Sequence, residues 1–471
     1  MNLIPTLLIA GMLGFVASVH ADNIDDLVQR AMASNRIPGL TLAVIKDGKP
    51  VKVKAYGLAN IDYDIPTKTD TPFLLASMTK SFTAASVMML VEQGKIDLDA
   101  PISKYLEDTP EAWKGITVRH LLSHTAGLKD RFEEVPFNVS NWKINYPIAS
   151  MYKTARETPV DFKPGESFQY SDQGFFLLGM LVEQASGMKY PDFLKSHIFD
   201  PLGMKDSSTV NLSRIVKGMA SGYGLLGGAL FHNSRRTDYG MVSHFGMIST
   251  VDDLAKWDAA LDGEKLLKRS SIDQMWTASK LANGSYAYTP YGAYGLGWFV
   301  DRFNGHRSVG HGGSTGTAFL KFPDDKLTVI VLTNLEQLSG GDATGIAVEI
   351  ARNYLPAVSW ESLRPIPDPQ PTLAANFKAS METMAAGKFD ESLYNSFFGA
   401  SLKPTIPSQK QGLSALGSLD KIECLELLPW GTGHLGRYRT TYKLVTVYAT
   451  ALFDPAGKIA FLQVEAAHKY R

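Results

Sequence analysis

Phe73-Leu-Leu-Ala-Ser77-Met-Thr-Lys80-Ser-Phe-Thr-Ala84 places a serine and a lysine three residues apart at the head of a segment with apolar helical spacing. On a helix that spacing puts both side chains on one face, within touching distance. Near a helix N-terminus the free backbone N–H groups and the positive end of the dipole favour negative charge developing around the serine. The spacing alone decides little, because Ser140/Lys143, Ser150/Lys153, Ser186/Lys189 and Ser418/Lys421 repeat it. The context has to choose among them.

Upstream of this segment, Ile24 to Asn35 has helical spacing, and Leu40 to Ile45 and Val51 to Tyr56 alternate as strands around Asp47-Gly48, a strong hairpin signal. Far downstream, Gly297 to Val300, Thr317 to Phe322 and Leu327 to Leu332 read as further strands, with Pro323-Asp324-Asp325 turning the last two, and a helix follows from Asp342 to Tyr354. Between them, Phe73 to Leu261 keeps mostly helical spacing. The arrangement implied is one sheet built from both ends of a domain, with a helical insert and a site in the cleft between sheet edge and helices. A proline-rich stretch, 359–371, favours extended backbone and is expected to link 22–358 to a small α+β domain over 372–471. That last unit opens with a helix from Leu373 to Ala386 and closes in a meander.

The bulk numbers exclude some functions. Lys plus Arg equals Asp plus Glu at 47 each, with no long basic run, so nothing provides the footprint of a nucleic-acid partner. Asn2 to Val19 is almost wholly apolar and leads through Ala21 to a polar stretch, which reads as a signal peptide over 1–21 and export to the periplasm or medium. An uncleaved anchor is the other reading, since no Lys or Arg precedes the apolar run. The one cysteine, Cys424, allows no internal disulfide and reads as a small buried hydrophobe.

After Lys80 come Ile116-Thr-Val-Arg-His120-Leu-Leu-Ser-His124-Thr-Ala-Gly127, Pro164-Gly165-Glu166-Ser-Phe-Gln-Tyr170-Ser-Asp172, Gly246-Met-Ile-Ser249-Thr250, Tyr294-Gly-Leu-Gly297-Trp298 and Gly310-His311-Gly312-Gly313-Ser314. In this order they resemble the serine β-lactamase-like family of class C β-lactamases, penicillin-binding proteins, D-aminopeptidases and related esterases. The resemblance implies an α/β (α+β) β-lactamase/transpeptidase-like fold, with an antiparallel sheet flanked by helices. It also implies that Ser77 forms an acyl-enzyme that water then hydrolyses, with Lys80 and Tyr170 as catalytic partners and Tyr170 as the proton shuttle. Backbone N–H groups of Ser77 and Ser314 would form the oxyanion hole, and Asp172, His311, Gly313 and Ser314 would bind substrate.

Two positions depart from the family pattern. Asp172 stands where the family has Asn; a carboxylate at about 4 Å would hold the Lys80 ammonium by roughly 4 kcal/mol at an effective dielectric of 20, while opposing a Tyr170 phenolate. His311-Gly312-Gly313 stands where the family has Lys-Thr-Gly, so the clamp for a substrate carboxylate is weakened and the resemblance shifts toward esterases and aminopeptidases. The expected substrate is a small-molecule or peptide-like ester or amide. The rival is a catalytically impaired binding protein of the same fold.

No metal and no organic cofactor are expected. His120 and His124 share a helical spacing, but no third ligand is evident and His-Glu-x-x-His is absent. The aromatic run from Tyr286 to Tyr294 either lines an acyl pocket or simply packs its rings. The C-terminal unit resembles the cone-shaped nuclear-transport-factor and SnoaL module, with Phe377 to Phe389 as its helical start and Gly417 to Glu423 as a strand entry, and a substrate lid, a homodimer contact or a cell-wall contact is open to it.

Overall fold

The computed structural model describes residues 14–129, 147–211, 213–233, 242–286, 288–289, 292–336 and 342–466, with residues 14–22 and 288 described by backbone only. Helix α1 (Gly14–Asn35) runs on past Ala21 without a break. It leads into β1 (Gly39–Lys46) and β2 (Lys49–Asn60), joined at Asp47 (φ 53°) and Gly48 (φ 72°). Two successive left-handed residues make the turn whose twist suits a two-residue hairpin, which is why Asp-Gly sits there. Among the described residues no helix is long and apolar enough to cross a membrane.

The serine segment enters α2 (Thr79–Glu92), and α3 (Asp172–Ser186) and α4 (Val251–Asp262) follow it in the insert. The chain then returns to the sheet as β3 (Phe299–Phe303), β4 (His306–Gly313), β5 (Thr317–Phe322) and β6 (Leu327–Thr333), and closes the unit with α5 (Ala343–Tyr354). The result is a nine-stranded antiparallel sheet in which β1 lies between β2 and β6, and β3 to β6 continue in chain order. Short strands at Ile65–Pro66, Gly292–Tyr294 and Tyr288–Thr289 complete its edges.

The two-residue period of the central strands sorts their side chains into two cores. Leu40, Leu42 and Val44 of β1 and Val329 and Val331 of β6 face α1 and α5, against Val28, Ala31, Ile346 and Ile350. Ala43, Ile45, Ile330 and Leu332 face the helical insert. In that insert α2 is buried from Thr79 to Leu90, and Phe82 stacks on Trp257 of α4 at 4.3 Å. The insert also holds β structure that its helical spacing concealed: Met247–Ser249 pairs with both Phe73–Leu74 and Ser208–Thr209.

A second sheet of four antiparallel strands, β7 (Leu419–Trp430), β8 (Gly433–Tyr442), β9 (Thr446–Phe453) and β10 (Ile459–Glu465), packs on helix Pro371–Ala385. Its last part read as strand in the sequence, and the strand entry expected at Gly417 to Glu423 is the start of β7; the run from Leu425 to Arg437 has no period-2 pattern to read. Arg437, its side chain 2% exposed, joins the two sheets: it pairs with Glu426, donates to the Arg302 carbonyl at 2.7 Å and lies over the Phe303 ring. The proline-rich stretch is tethered, with Trp360 and Leu363 buried and Trp360 stacked on Tyr448.

Lys321 of β5 is 1% exposed and donates to Asp258 at 2.8 Å and Asp262 at 2.9 Å of α4. Removing one partner of such a pair leaves a buried charge uncompensated. Lys321→Met is expected to lower the thermal unfolding midpoint by the equivalent of about 3–5 kcal/mol, and adding Asp258→Leu should restore most of the loss; calorimetry of the two variants checks both.

Candidate active site

Ser77 occupies a single 3-10 turn, Ala76–Met78, that feeds directly into α2. Ala76 has φ 47°, a left-handed conformation that costs a non-glycine residue of order 1–3 kcal/mol. Neighbours hold the turn in place: Leu75 N–H donates to the Met247 carbonyl at 2.8 Å, Thr317 Oγ1 donates to the Leu75 carbonyl at 2.8 Å, and Thr315 Oγ1 donates to the Leu74 carbonyl at 2.6 Å. Gly313 is required by this contact, because a Cβ there would come within 2.0 Å of the Leu75 oxygen. The end of β4, with Ser314 just beyond it, is thereby laid against the serine turn.

Lys80 lies one turn further and is completely buried. Its Nζ is 3.2 Å from Ser77 Oγ, 2.5 Å from Asp172 Oδ1 and 2.8 Å from the His244 carbonyl oxygen. An ammonium has three N–H donors and no acceptor, so these three oxygens match it one for one. The Tyr170 ring completes the enclosure, its centroid 4.7 Å from Nζ. Tyr170 immediately precedes Ser171, which caps α3 by accepting from Gly174 N–H, and Asp172 begins the first turn, where the helix dipole favours a carboxylate.

Histidines surround this core without adding charge. His311 Nδ1 lies 2.7 Å from the Gly312 carbonyl and must carry the proton, which leaves Nε2 to accept from the Tyr294 hydroxyl at 2.9 Å. Burial, reinforced by the Lys80 charge, pushes His311 down to about 3. His124 Nδ1 accepts from Ser171 N–H at 3.0 Å, and its ring packs on Tyr170 at 4.2 Å; burial and Lys80 hold it well below its ordinary value. Burial likewise takes His244 down to about 4.

The structure therefore brings Ser77, Lys80, Tyr170, Asp172, His311, Gly313 and Ser314 to one locus. Sequence reading missed His244, which contributes through its backbone oxygen and leaves no side-chain signal. His124 drew attention as a metal candidate with His120. Its Nδ1 serves Ser171, and that of His120 accepts from Thr117 N–H in the cap of helix Val118–Leu122. Among the described residues no cluster could hold a metal ion. Of the aromatic run, Tyr294 is buried against His311, Tyr286 faces the C-terminal sheet, and Tyr291 and the Tyr288 side chain lie outside the described residues.

Three buried neutral histidines make stability depend on pH. In the unfolded chain a histidine titrates near about 6.5, so on acidification the unfolded state gains protons that the fold refuses. Stability is then lost at about 1.4 kcal/mol per pH unit for each such group, down to about 3 for His311. His311→Gln is expected to remove one such share of the slope between about pH 6 and about pH 4, read from unfolding midpoints.

The family model described as Beta-lactamase matches residues 24–351. Penicillin-binding protein 4* of Bacillus subtilis (strain 168) is 29% identical over 315 residues, 63% of this chain and 68% of its own length. Protein flp of Staphylococcus aureus (strain MW2) is 25% identical over 320 residues, and the match spans 66% of this chain and 62% of the flp chain. Among solved structures, the octameric penicillin-binding protein homologue from Pyrococcus abyssi superposes with a TM-score of 0.63 at 25% identity, over 93% of this chain and 94% of that one. With the matched segment running from α1 through the serine turn, the tyrosine segment and β4 to α5, the chain belongs to the beta-lactamase family.

Proposed function

We propose that this chain is an exported serine hydrolase that forms an acyl-enzyme at Ser77 and hydrolyses a small ester or amide. The observation that carries the reading is Ser77 Oγ at 3.2 Å from a fully buried Lys80 that is saturated as an ammonium. Ser77 Oγ attacks the substrate carbonyl carbon, and its proton passes to Tyr170 and on to the leaving group as the acyl–leaving-group bond breaks. Lys80 holds the hydroxyl and stabilises charge on the tyrosine while keeping its own protons. Water then attacks the acyl-enzyme, giving the acid and free Ser77. Backbone N–H groups of Ser77 and Ser314 act on the oxyanion, a contribution worth about a hundred- to a thousandfold per donor. His311, neutral and committed to Tyr294, offers no cation to a substrate carboxylate, which supports a substrate that is uncharged at that end.

A second reading rests on the Lys80–Asp172 contact at 2.5 Å. The carboxylate opposes a phenolate at Tyr170, and a site slowed enough by it serves as a binding site. The C-terminal domain is read as a cone-shaped module of the nuclear-transport-factor type that pairs two copies; helices on one face of its sheet and the octameric description of the Pyrococcus abyssi homologue support this.

Purified chain from Asp22 onward is expected to react with a fluorophosphonate at Ser77 and to hydrolyse p-nitrophenyl butyrate, with both lost in Ser77→Ala. A Ser77 that no acyl donor or fluorophosphonate modifies gives the ground to the binding reading. Asp172→Asn removes the negative charge beside Tyr170, so the acid limb of the kcat/KM profile is expected to move to lower pH.

A further inference from the structure

The C-terminal domain touches the catalytic unit at a place distinct from the Arg437 joint. The tip of the β7–β8 hairpin, Trp430-Gly431-Thr432, lies on the loop Leu281–Tyr286. A Cβ on Gly431 (φ 64°) would come within 2.8 Å of the Gly284 oxygen, and one on Gly284 would come within 2.9 Å of Thr432 Cγ2. Gly431 therefore serves a close backbone approach that no side chain allows, and Gly284 leaves room for the Thr432 methyl. Beside them the Trp430 and Tyr286 rings meet edge to face at 5.7 Å.

The loop under this tip is stitched to the segment that carries Tyr170. Ala282 N–H donates to the Gly165 carbonyl at 2.8 Å. Gly165 N–H donates to Thr125 O at 2.8 Å, Gln169 N–H to His124 O at 2.9 Å, and Ser171 N–H to His124 Nδ1 at 3.0 Å. Those bonds fix the backbone on both sides of Tyr170, whose ring covers Lys80. We infer that the hairpin tip Trp430–Thr432 is a positioning element of the active site, holding loop Leu281–Tyr286 and, through Ala282 and Gly165, the Tyr170 segment. The C-terminal domain thus belongs to the catalytic architecture although it supplies no reacting group. The consequence for turnover rests on the acyl-enzyme reading above; the mechanical coupling does not.

The test uses the full chain with Trp430→Ala, Tyr286→Ala and Trp430→Phe. Hydrogen exchange by mass spectrometry is read over 163–171 and 281–286, with β1 and β9 as internal references. Either alanine variant is expected to speed exchange in both loops while β1 and β9 keep wild-type protection. kcat for p-nitrophenyl butyrate should fall about tenfold with KM within about twofold, the signature of a misplaced proton-transfer group rather than a lost binding contact. Trp430→Phe keeps an edge-to-face ring and should restore both readouts. Tyr286→Ala leaves the C-terminal domain untouched, so the question stays open to it should Trp430→Ala loosen β9. Unchanged exchange over 163–171 in the alanine variants overturns the inference. A wild-type chain that turns over no ester sinks the hydrolase reading instead, because exchange is measured without substrate.

Discussion

The buried ammonium of Lys80 is the constraint around which this domain is arranged. A lysine with no solvent exposure needs three acceptors, and it draws them from three separate parts of the chain: the serine turn, the first turn of α3 and the backbone at His244. Each acceptor brings its own support. Asp172 is placed by the Ser171 cap, the His244 carbonyl by the segment leading into Met247–Ser249, and Ser77 by the pinned, left-handed Ala76. The same strand that receives Leu75 pairs with Phe73–Leu74, and beyond the strained Ala76 its Met247 N–H donates to Thr79 Oγ1 at 2.9 Å, so the turn is held on both sides. The enclosing histidines follow from the same cation. Beside a fixed positive charge and out of water, an imidazole is held neutral, and in His311 and His124 the partner of Nδ1 then decides which ring nitrogen carries the proton.

Much of this was legible in the sequence, for particular reasons. Asp47-Gly48 announced its hairpin because two left-handed residues in a row have few other uses. The Ser77/Lys80 spacing became informative only when Tyr170, Asp172 and His311 followed in family order, and the structure gathers all five. What was hidden depends on tertiary context. Strand Met247–Ser249 is three residues long and its neighbours have helical spacing, so only its partners reveal it. Leu425 to Arg437 carries glycine, proline and a buried arginine, none of which reads as strand without the domain it docks on. The neutral state of His311 also comes from tertiary context, first from burial and then from the charge of Lys80, 231 positions away in the chain.

The two domains meet through different chemistry at two points. Arg437 and the Trp360 stack form a polar and aromatic joint beside β3, whereas the hairpin tip touches through the Gly431 backbone, the Thr432 methyl and the Trp430 ring. A joint of the first kind tolerates small rotations, since a guanidinium has several donors to redistribute. The second kind tolerates less, because the Gly431 backbone lies against the backbone of Gly284 to Tyr286 with no side chain of its own to adjust.

The sheet order has a consequence for how the protein is made. Strand β1 pairs on one side with β6, so Ala43 waits for Ile330 before the centre of the sheet can close. At about 5–20 residues per second, a ribosome needs roughly 15–60 s to deliver the missing strand. Until then Leu40, Leu42 and Val44 have α1 to pack against but lack the β6 and α5 side of their core. Closure of the central sheet is therefore a late event in the making of the chain, tied to the arrival of β6 rather than to the early hairpin.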